Sequence, residues 1–411
     1  FLRAVETDDD WRLIDPKTKE AVKIIKAREL WSKILDARAE TGEPYIVNLD
    51  NCNDALPQGQ KNLGLEIKQS NLCSEITLPT NQERTAVCCL SSVNLEHFDD
   101  WSEDKNFIQD LITMLDNVLE HFIDNAIDMN NLGGYNANYE RFKKHIKEGK
   151  EGFTKAAYSA YRERSIGLGA MGFHSYLQAH NIPFEGIYAT GFNHKAFKHI
   201  KSSALKASKE IAKDRGEAPD ISGSTLRNAH LLAVAPNASS SIICGGTSPS
   251  IEPIRANVFT HKTLSGSYKV KNKNLEKLIN KKLDEPAKRK KLWQQISDNR
   301  GSIQNIRLFT KEEKELYKTA DEINQIWVVE HAYKRQEFIC QSQSVNLFFI
   351  LPDSSKNQEQ HNEYLQYVSD VHWYGANKLK SLYYFRSDAA KAAENVNCLL
   401  YTSDAADDTT G

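Results

Sequence analysis

Apolar residues recur every three or four positions along Glu20–Glu40, EAVKIIKARELWSKILDARAE, with Lys, Arg, Asp and Glu between them. Such spacing lays one apolar stripe along a helix. The same pattern over Leu111–Met129, LITMLDNVLEHFIDNAIDM, and Gln325–Gln341, QIWVVEHAYKRQEFICQ, predicts two more amphipathic helices. Other stretches are apolar without that period. HLLAVAP reads as a buried strand stopped by Pro236, SVNLFFIL as a second, and SLYYFR as a third. TGEPYIVNLDNCND reads as a turn, a short strand and a polar loop. RSIGLGAMGFHSYLQAH opens with glycines that permit close backbone packing. Helices and strands therefore alternate, which predicts an α/β chain around a largely enclosed sheet. No internal repeat of solenoid length is visible.

Composition changes this picture little. The 411 residues include 40% hydrophobic and 26% charged positions, ordinary for a globular protein. With 53 basic and 55 acidic residues the net charge is −2, so no broad field favours nucleic acid or an anionic membrane. No apolar run approaches the length that spans a bilayer, and the start FLRAVETDDDWRL lacks the features of a signal peptide. One local excess stands out: KVKNKNLEKLINKKLDEPAKRKKLW, from Lys269, reads as a solvated helical excursion. The seven cysteines are odd in number and irregular in spacing, a poor disulfide or zinc framework. Free cytoplasmic thiols are expected.

Four places carry candidate chemistry. In KQSNLCSEITLPT, Asn71, Cys73 and Glu75 lie at i, i+2 and i+4. In an extended segment they would share one face, presenting an amide, a thiol and a carboxylate together. Such a set can bind a hydroxyl, take its proton and donate hydrogen; a half-buried strand with one polar face has the same spacing. AVCCLSSVNL holds Cys88 beside Cys89, and adjacent cysteines pair poorly with each other. AVAPNASSSIICGG sets Asn237, Ala238, Ser239, Ser240 and Ser241 after a strand, where N–H groups and hydroxyls can cradle a phosphate or simply cap a helix. It has no Walker-type GKS or GKT. SLYYFR sets Tyr383 beside Tyr384, which also suits two ordinary strand aromatics.

SNLCSEI resembles the finger-loop motif of ribonucleotide reductase large subunits. WRLIDP, TGEPYIVNLDNCN, VCCLSSVNL, RSIGLGAMGF, PNASSS with SIEP, TLSGSYKVKNKNLEKL, YKTADEI, RQEFICQSQSVNLF and LYYFR resemble further family blocks in the same order, covering about residues 10 to 390. The resemblance implies a thiyl radical at Cys73 that abstracts the C3′ hydrogen of the substrate ribose. Glu75 would take the 3′-hydroxyl proton, and Asn71 would hydrogen-bond the ribose hydroxyls. Cys88 would be one of two reducing thiols, with Cys89 a packing residue. Residues 237–241 would hold the substrate phosphates. Tyr383 and Tyr384 would relay the radical, as in the aerobic, small-subunit-dependent class. Side chains of adjacent strand residues point oppositely, so a stacked relay demands a break in the strand.

The implied fold is the family's ten-stranded α/β barrel, two five-stranded halves around the finger loop, incomplete at its N-terminus. Residues 1–397 would be the partial barrel domain, with 262–335 a small helical subdomain. Residues 398–411, CLLYTSDAADDTTG, look like translated sequencing adapter. The expected activity is radical reduction of ribonucleoside diphosphates to deoxyribonucleotides in the cytoplasm. The chain itself would bind no cofactor and no metal. A metal-containing small subunit would supply the radical, thioredoxin or glutaredoxin the reducing equivalents, and dNTP or ATP the allosteric control of a homodimer. The resemblance implies an upstream part that would carry the effector region and the second redox cysteine, so the fragment alone is expected to be inactive. Two other readings are a cobalamin-dependent reductase, which needs no tyrosine pair, and a noncatalytic homologue or fragment that only binds nucleotide or a subunit.

Overall fold

The computed structural model describes residues 1–129, 154–263, 266–352 and 356–387; Cys398 and the adapter-like tail lie outside them. The chain divides into two compact units, residues 1–46 with 345–411, and residues 47–344. Among the described residues no helix is long and apolar enough to cross a membrane.

The first unit corrects one sequence expectation. The stripe read as helical from Glu20 becomes helix only at Ala27–Thr41. Ala21–Lys26 instead pairs antiparallel with Asp10–Ile14, Trp11 opposite Ile25. Val22, Ile24 and Ile25 are β-branched and favour the strand. The Asp15 carboxylate accepts the N–H groups of Lys17 (2.7 Å) and Thr18 (2.9 Å), closing the turn that folds the hairpin. The helix Ala27–Thr41 ends at Gly42, whose φ of 86° suits glycine. Its Trp31 meets Trp373 of the helix Gln358–Lys378 edge-on at 6.1 Å. Leu347–Phe348 runs parallel to Phe385–Arg386.

In the second unit, Leu49–Asp54, expected as loop, is a short helix that buries Cys52 against Leu56 and Ile67. The Asn53 amide exchanges two hydrogen bonds with the backbone of Ile67 (2.8 and 3.0 Å), a tie the local pattern does not reveal. The helix predicted from Leu111 starts at Phe107 and runs to Met129. Leu90–Asn94 pairs parallel with Gly167–Met171. Leu168 then bridges Leu232, and Val234 bridges Gln343, both parallel. Four extended segments thus lie side by side in an order that requires crossovers, and Phe107–Met129 and Ile187–Arg215 supply helical mass for them. Gly167–Met171 is buried throughout, as expected for a strand covered on both faces. A Cβ on Gly169 would stand 2.6 Å from the Ala233 carbonyl oxygen, so the close approach requires glycine.

The ten-stranded closed barrel is not formed among the described residues. Their ladders are five two-stranded pairs, extended by single bridges. The segments are short for a local reason. Pro236 ends one, and in Gln341–Ser344 the backbone bonds are shared between Leu232, Val234 and Glu75, with the glutamine side chains adding bonds to the Ile166 (3.0 Å) and Ala332 (2.7 Å) carbonyls.

The lysine-rich stretch opens with a hairpin, Val258–Thr263 against Gly266–Lys271, where only helix was expected. Helices Lys273–Lys282, Pro286–Asp298 and Lys311–Leu316 follow. Asn272 caps the first helix, accepting from the N–H groups of Asn274 and Leu275. Leu275, Ile279, Leu292, Trp293, Ile296, Ile303 and Phe309 make a core of their own.

Candidate active site

The Cys73 segment is not extended. The Ser74 N–H donates to the Asn71 carbonyl at 3.2 Å, and Ser74 has a φ of 67°. The Asn71 side-chain oxygen accepts the Ile76 N–H at 3.0 Å, while the Asn71 N–H donates to the Ile76 carbonyl at 3.2 Å. Strand alternation therefore does not bring Asn71, Cys73 and Glu75 together. A tight loop does, closed by an amide that outcompetes the strand ladder. Past the loop, Ile76 and Leu78 pack against Ala233 and anchor it in the apolar core.

Glu75 is almost fully buried, and burial pushes its carboxyl above the usual carboxylate range. Hydrogen bonds from its own backbone, Asn71 and Ser344 oppose that rise. The Ser344 hydroxyl donates to the Cys73 carbonyl and lies 3.2 Å from Glu75 Oε2. Its backbone N–H donates to Val234 at 2.9 Å, and the Ser342 N–H donates to the Glu75 carbonyl at 2.9 Å. The loop is thereby fastened to the 342–344 segment far away in sequence, which is itself bound to Val234.

Cys88 and Cys89 point differently. Cys89 is buried, its Sγ 3.5 Å from the Leu115 carbonyl. Cys88 opens to solvent, yet the surrounding walls push its thiol up to about 11, helped by Glu75, Cys89 and Cys73. It therefore stays protonated near neutral pH and lies within electrostatic reach of the finger-loop groups. Cys73 itself is half-buried.

Asn237–Ser241 follows directly on the Leu231–Val234 segment. Asn237 adopts a φ of 48°, and one helical turn, Ser240–Ile243, completes the loop. The Ser92 hydroxyl of Leu90–Asn94, one strand further over, donates to Asn237 Oδ1 at 3.1 Å. Ala238 and Ser239 are exposed and Ser240 half-buried, whereas Ser241 is buried and turns its hydroxyl to the Ala238 carbonyl at 3.0 Å. Through Val234 and Ser344, this loop and the Cys73 loop share one support.

Tyr383 and Tyr384 belong to the first unit. They occupy a break between the short strands Ser381–Leu382 and Phe385–Arg386, and their rings lie 4.4 Å apart with a 56° tilt. The strand interruption lets adjacent side chains meet. Tyr45 joins them, its ring 4.7 Å from Tyr383 and 5.0 Å from Tyr384. Burial and a hydrogen bond with Tyr384 raise the Tyr45 phenol. The buried Arg38 donates to the Tyr383 carbonyl at 3.0 Å, and the Arg386 guanidinium covers the Tyr384 ring at 3.9 Å.

Sequence reasoning missed Ser344 and Tyr45 as site residues. Each lay inside a block already singled out, RQEFICQSQSVNLF and TGEPYIVNLDNCN, but neither has a spacing that signals chemistry.

The family model for the ribonucleotide reductase barrel domain matches residues 1–226 and 219–385. The ribonucleoside-diphosphate reductase large subunit of Invertebrate iridescent virus 3 is 44% identical over 397 residues, covering 96% of this chain and 58% of that protein. A putative ribonucleoside-diphosphate reductase large subunit of Frog virus 3 is 42% identical over 400 residues, covering 96% and 64%. The solved class Id ribonucleotide reductase alpha subunit of Actinobacillus ureae superposes with a TM-score of 0.71 at 36% identity, over 88% of this chain and 61% of that one. The chain thus spans about three fifths of the length of these relatives. With a family match over most of its length and the finger-loop, cysteine and serine-rich segments gathered on one set of parallel strands, the chain belongs to the ribonucleotide reductase barrel-domain family.

Proposed function

We propose that the protein is the large subunit of a ribonucleoside-diphosphate reductase of the small-subunit-dependent class. The observation that carries this reading is the cluster of Asn71, Cys73, Glu75 and Cys88, joined through Ser344 and Val234 to the 237–241 loop. The finer fold we assign is part of the ten-stranded barrel, residues 1–397, with 262–335 a subdomain inside it.

The roles follow from the chemistry of each group. Cys73, as a thiyl radical, takes the C3′ hydrogen of the ribose and becomes a thiol. Glu75 takes the 3′-hydroxyl proton, which suits a buried carboxyl whose affinity for protons is raised. The 2′-hydroxyl leaves as water. Cys88 and a second thiol supply two reducing equivalents and become a disulfide; a protonated thiol fits a hydrogen donor better than a thiolate. Cys73 then returns its hydrogen to C3′. Asn71 holds the ribose hydroxyls, and Asn237, Ala238, Ser239, Ser240 and Ser241 take the phosphates.

Tyr384 and Tyr383, in that order, carry the radical inward from a metal-containing small subunit. A phenol can lose proton and electron together and stay neutral. Thioredoxin or glutaredoxin, dNTP or ATP effectors and a second large subunit complete the proposed system.

The test mixes full-length protein with its small subunit, a ribonucleoside diphosphate and a dithiol, and measures deoxynucleotide formed. Cys73→Ser should abolish product. Tyr383→Phe and Tyr384→Phe should do so without lowering the unfolding midpoint. Turnover retained by Cys73→Ser would refute the assignment.

A further inference from the structure

One buried hydroxyl in the second unit stands between the two groups on which the proposed chemistry depends. Ser344 has no solvent exposure, and its Oγ contacts the Cys73 carbonyl and Glu75 Oε2. The serine has one hydrogen to donate and faces two acceptors. When Glu75 is ionised, the carboxylate is the stronger acceptor and draws that hydrogen. When Glu75 is protonated, its O–H can donate to Ser344 Oγ, and the serine hydrogen turns to the Cys73 carbonyl. Either arrangement satisfies the serine, so both protonation states of Glu75 are served by one side chain.

Resting on the functional reading above, we propose that Ser344 is a positioning residue that couples the protonation of Glu75 to the placement of the Cys73 peptide. Its own position is independently fixed: its N–H is held by Val234, and the Ser342 N–H holds the Glu75 carbonyl. The hydroxyl is therefore presented by backbone that a side-chain truncation leaves in place.

Among the described residues, the groups facing Glu75 are the Asn71 amide of its own loop, the Cys88 thiol just before the Leu90–Asn94 strand, and the serine of Gln341–Ser344. Ile76 and Leu78, on the same segment, meet Ala233, Ala86 and Leu90, all apolar. With one thiol and no cation in that set of described residues, neutral donors are what keep the buried carboxylate available as a base. Removing one donor shifts the balance toward the protonated form.

The test reads Glu75 directly in this chain, without turnover. The infrared band of the protonated carboxyl is followed against pH, with Glu75→Gln identifying the band. In Ser344→Ala, the pH at which the band disappears should rise by about one unit, roughly a tenfold gain in proton affinity. Ser344→Thr, which keeps the hydroxyl, should restore the wild-type midpoint. An unmoved midpoint in Ser344→Ala overturns the inference, as does a Thr variant that behaves like Ala. In the full-length enzyme with its small subunit, Ser344→Ala should move the acidic limb of kcat/KM upward by the same amount. A shifted band in Ser344→Ala, alongside a wild-type enzyme that reduces no nucleotide, would uphold the coupling and sink the reductase reading, so the two failures are distinguishable.

Discussion

In the lobe from Val258 to Tyr317 the buried side chains are mostly apolar, with Leu275, Ile279, Ile296 and Ile303 fully enclosed. Between Lys269 and Lys291 stand ten basic residues against three acidic ones. Around Cys73 the interior is polar. Ser74, Glu75, Ser342, Gln343 and Ser344 are all buried. The lobe can lower its free energy by turning a stripe inward, a non-directional effect that tolerates small errors of geometry. The site cannot, because each buried polar group costs about 1–3 kcal/mol unless a partner stands at the right place. Local pattern suffices for the first, whereas the second needs partners supplied by distant chain.

The sharpest way to break this contrast lies near the site-bearing strands. Asp220, fully buried, takes two hydrogen bonds from Arg84 (2.5 and 2.9 Å) and one from Arg162 (2.8 Å). Asp220→Ala strands a buried guanidinium and should cost about 3–5 kcal/mol in urea unfolding. A loss below about 1 kcal/mol would mean that polar pairing does not hold this region. Next comes the lobe: Ile279→Ala should cost about 2–4 kcal/mol by cavity formation, read from Trp293 fluorescence during unfolding, with little change around Cys73.

A pH experiment sharpens the comparison further. Burial raises the Glu163 carboxyl to about 8 from an ordinary 4.5, the Arg84 charge only partly opposing it. The folded state thus binds this proton more tightly than the unfolded chain. Its contribution is complete below about pH 4.5 and is lost progressively as pH rises to about 8. Glu163→Gln should flatten stability across that window; an unchanged slope would assign the dependence elsewhere. The smallest effect is expected on the lobe's surface, where Lys277→Gln should change stability by less than about 0.5 kcal/mol, checked by the same unfolding curve.

Much of the scaffold was readable from pattern. The apolar run Leu231–Val234 and the helix Phe107–Met129 follow from continuous hydrophobicity and periodicity, and the lysine-rich run marked the lobe helices though not their hairpin. Glu20–Glu40 was misread because helical and strand periods overlap over a few residues, and only the hairpin with Asp10–Ile14 decides that Ala21–Lys26 is extended. Asn71, Cys73 and Glu75 were expected on one face of an extended segment, but the chain forms a tight loop there, in which the Asn71 side chain meets Glu75. Tyr383 and Tyr384 were marked by adjacency, but Tyr45, more than 300 positions away, had no mark.

The sequence by itself determined the family, the order of its blocks and the identities of the candidate groups, because ordered motifs survive in one dimension. Tertiary structure alone decided that Cys88 opens outward while Cys89 turns in, that a left-handed Ser74 replaces a strand, and that Ser344 bridges Cys73 and Glu75. The physical reason is directionality. Hydrophobic burial depends on which residues are apolar, but a hydrogen bond depends on where its partner stands, and that partner comes from another part of the chain.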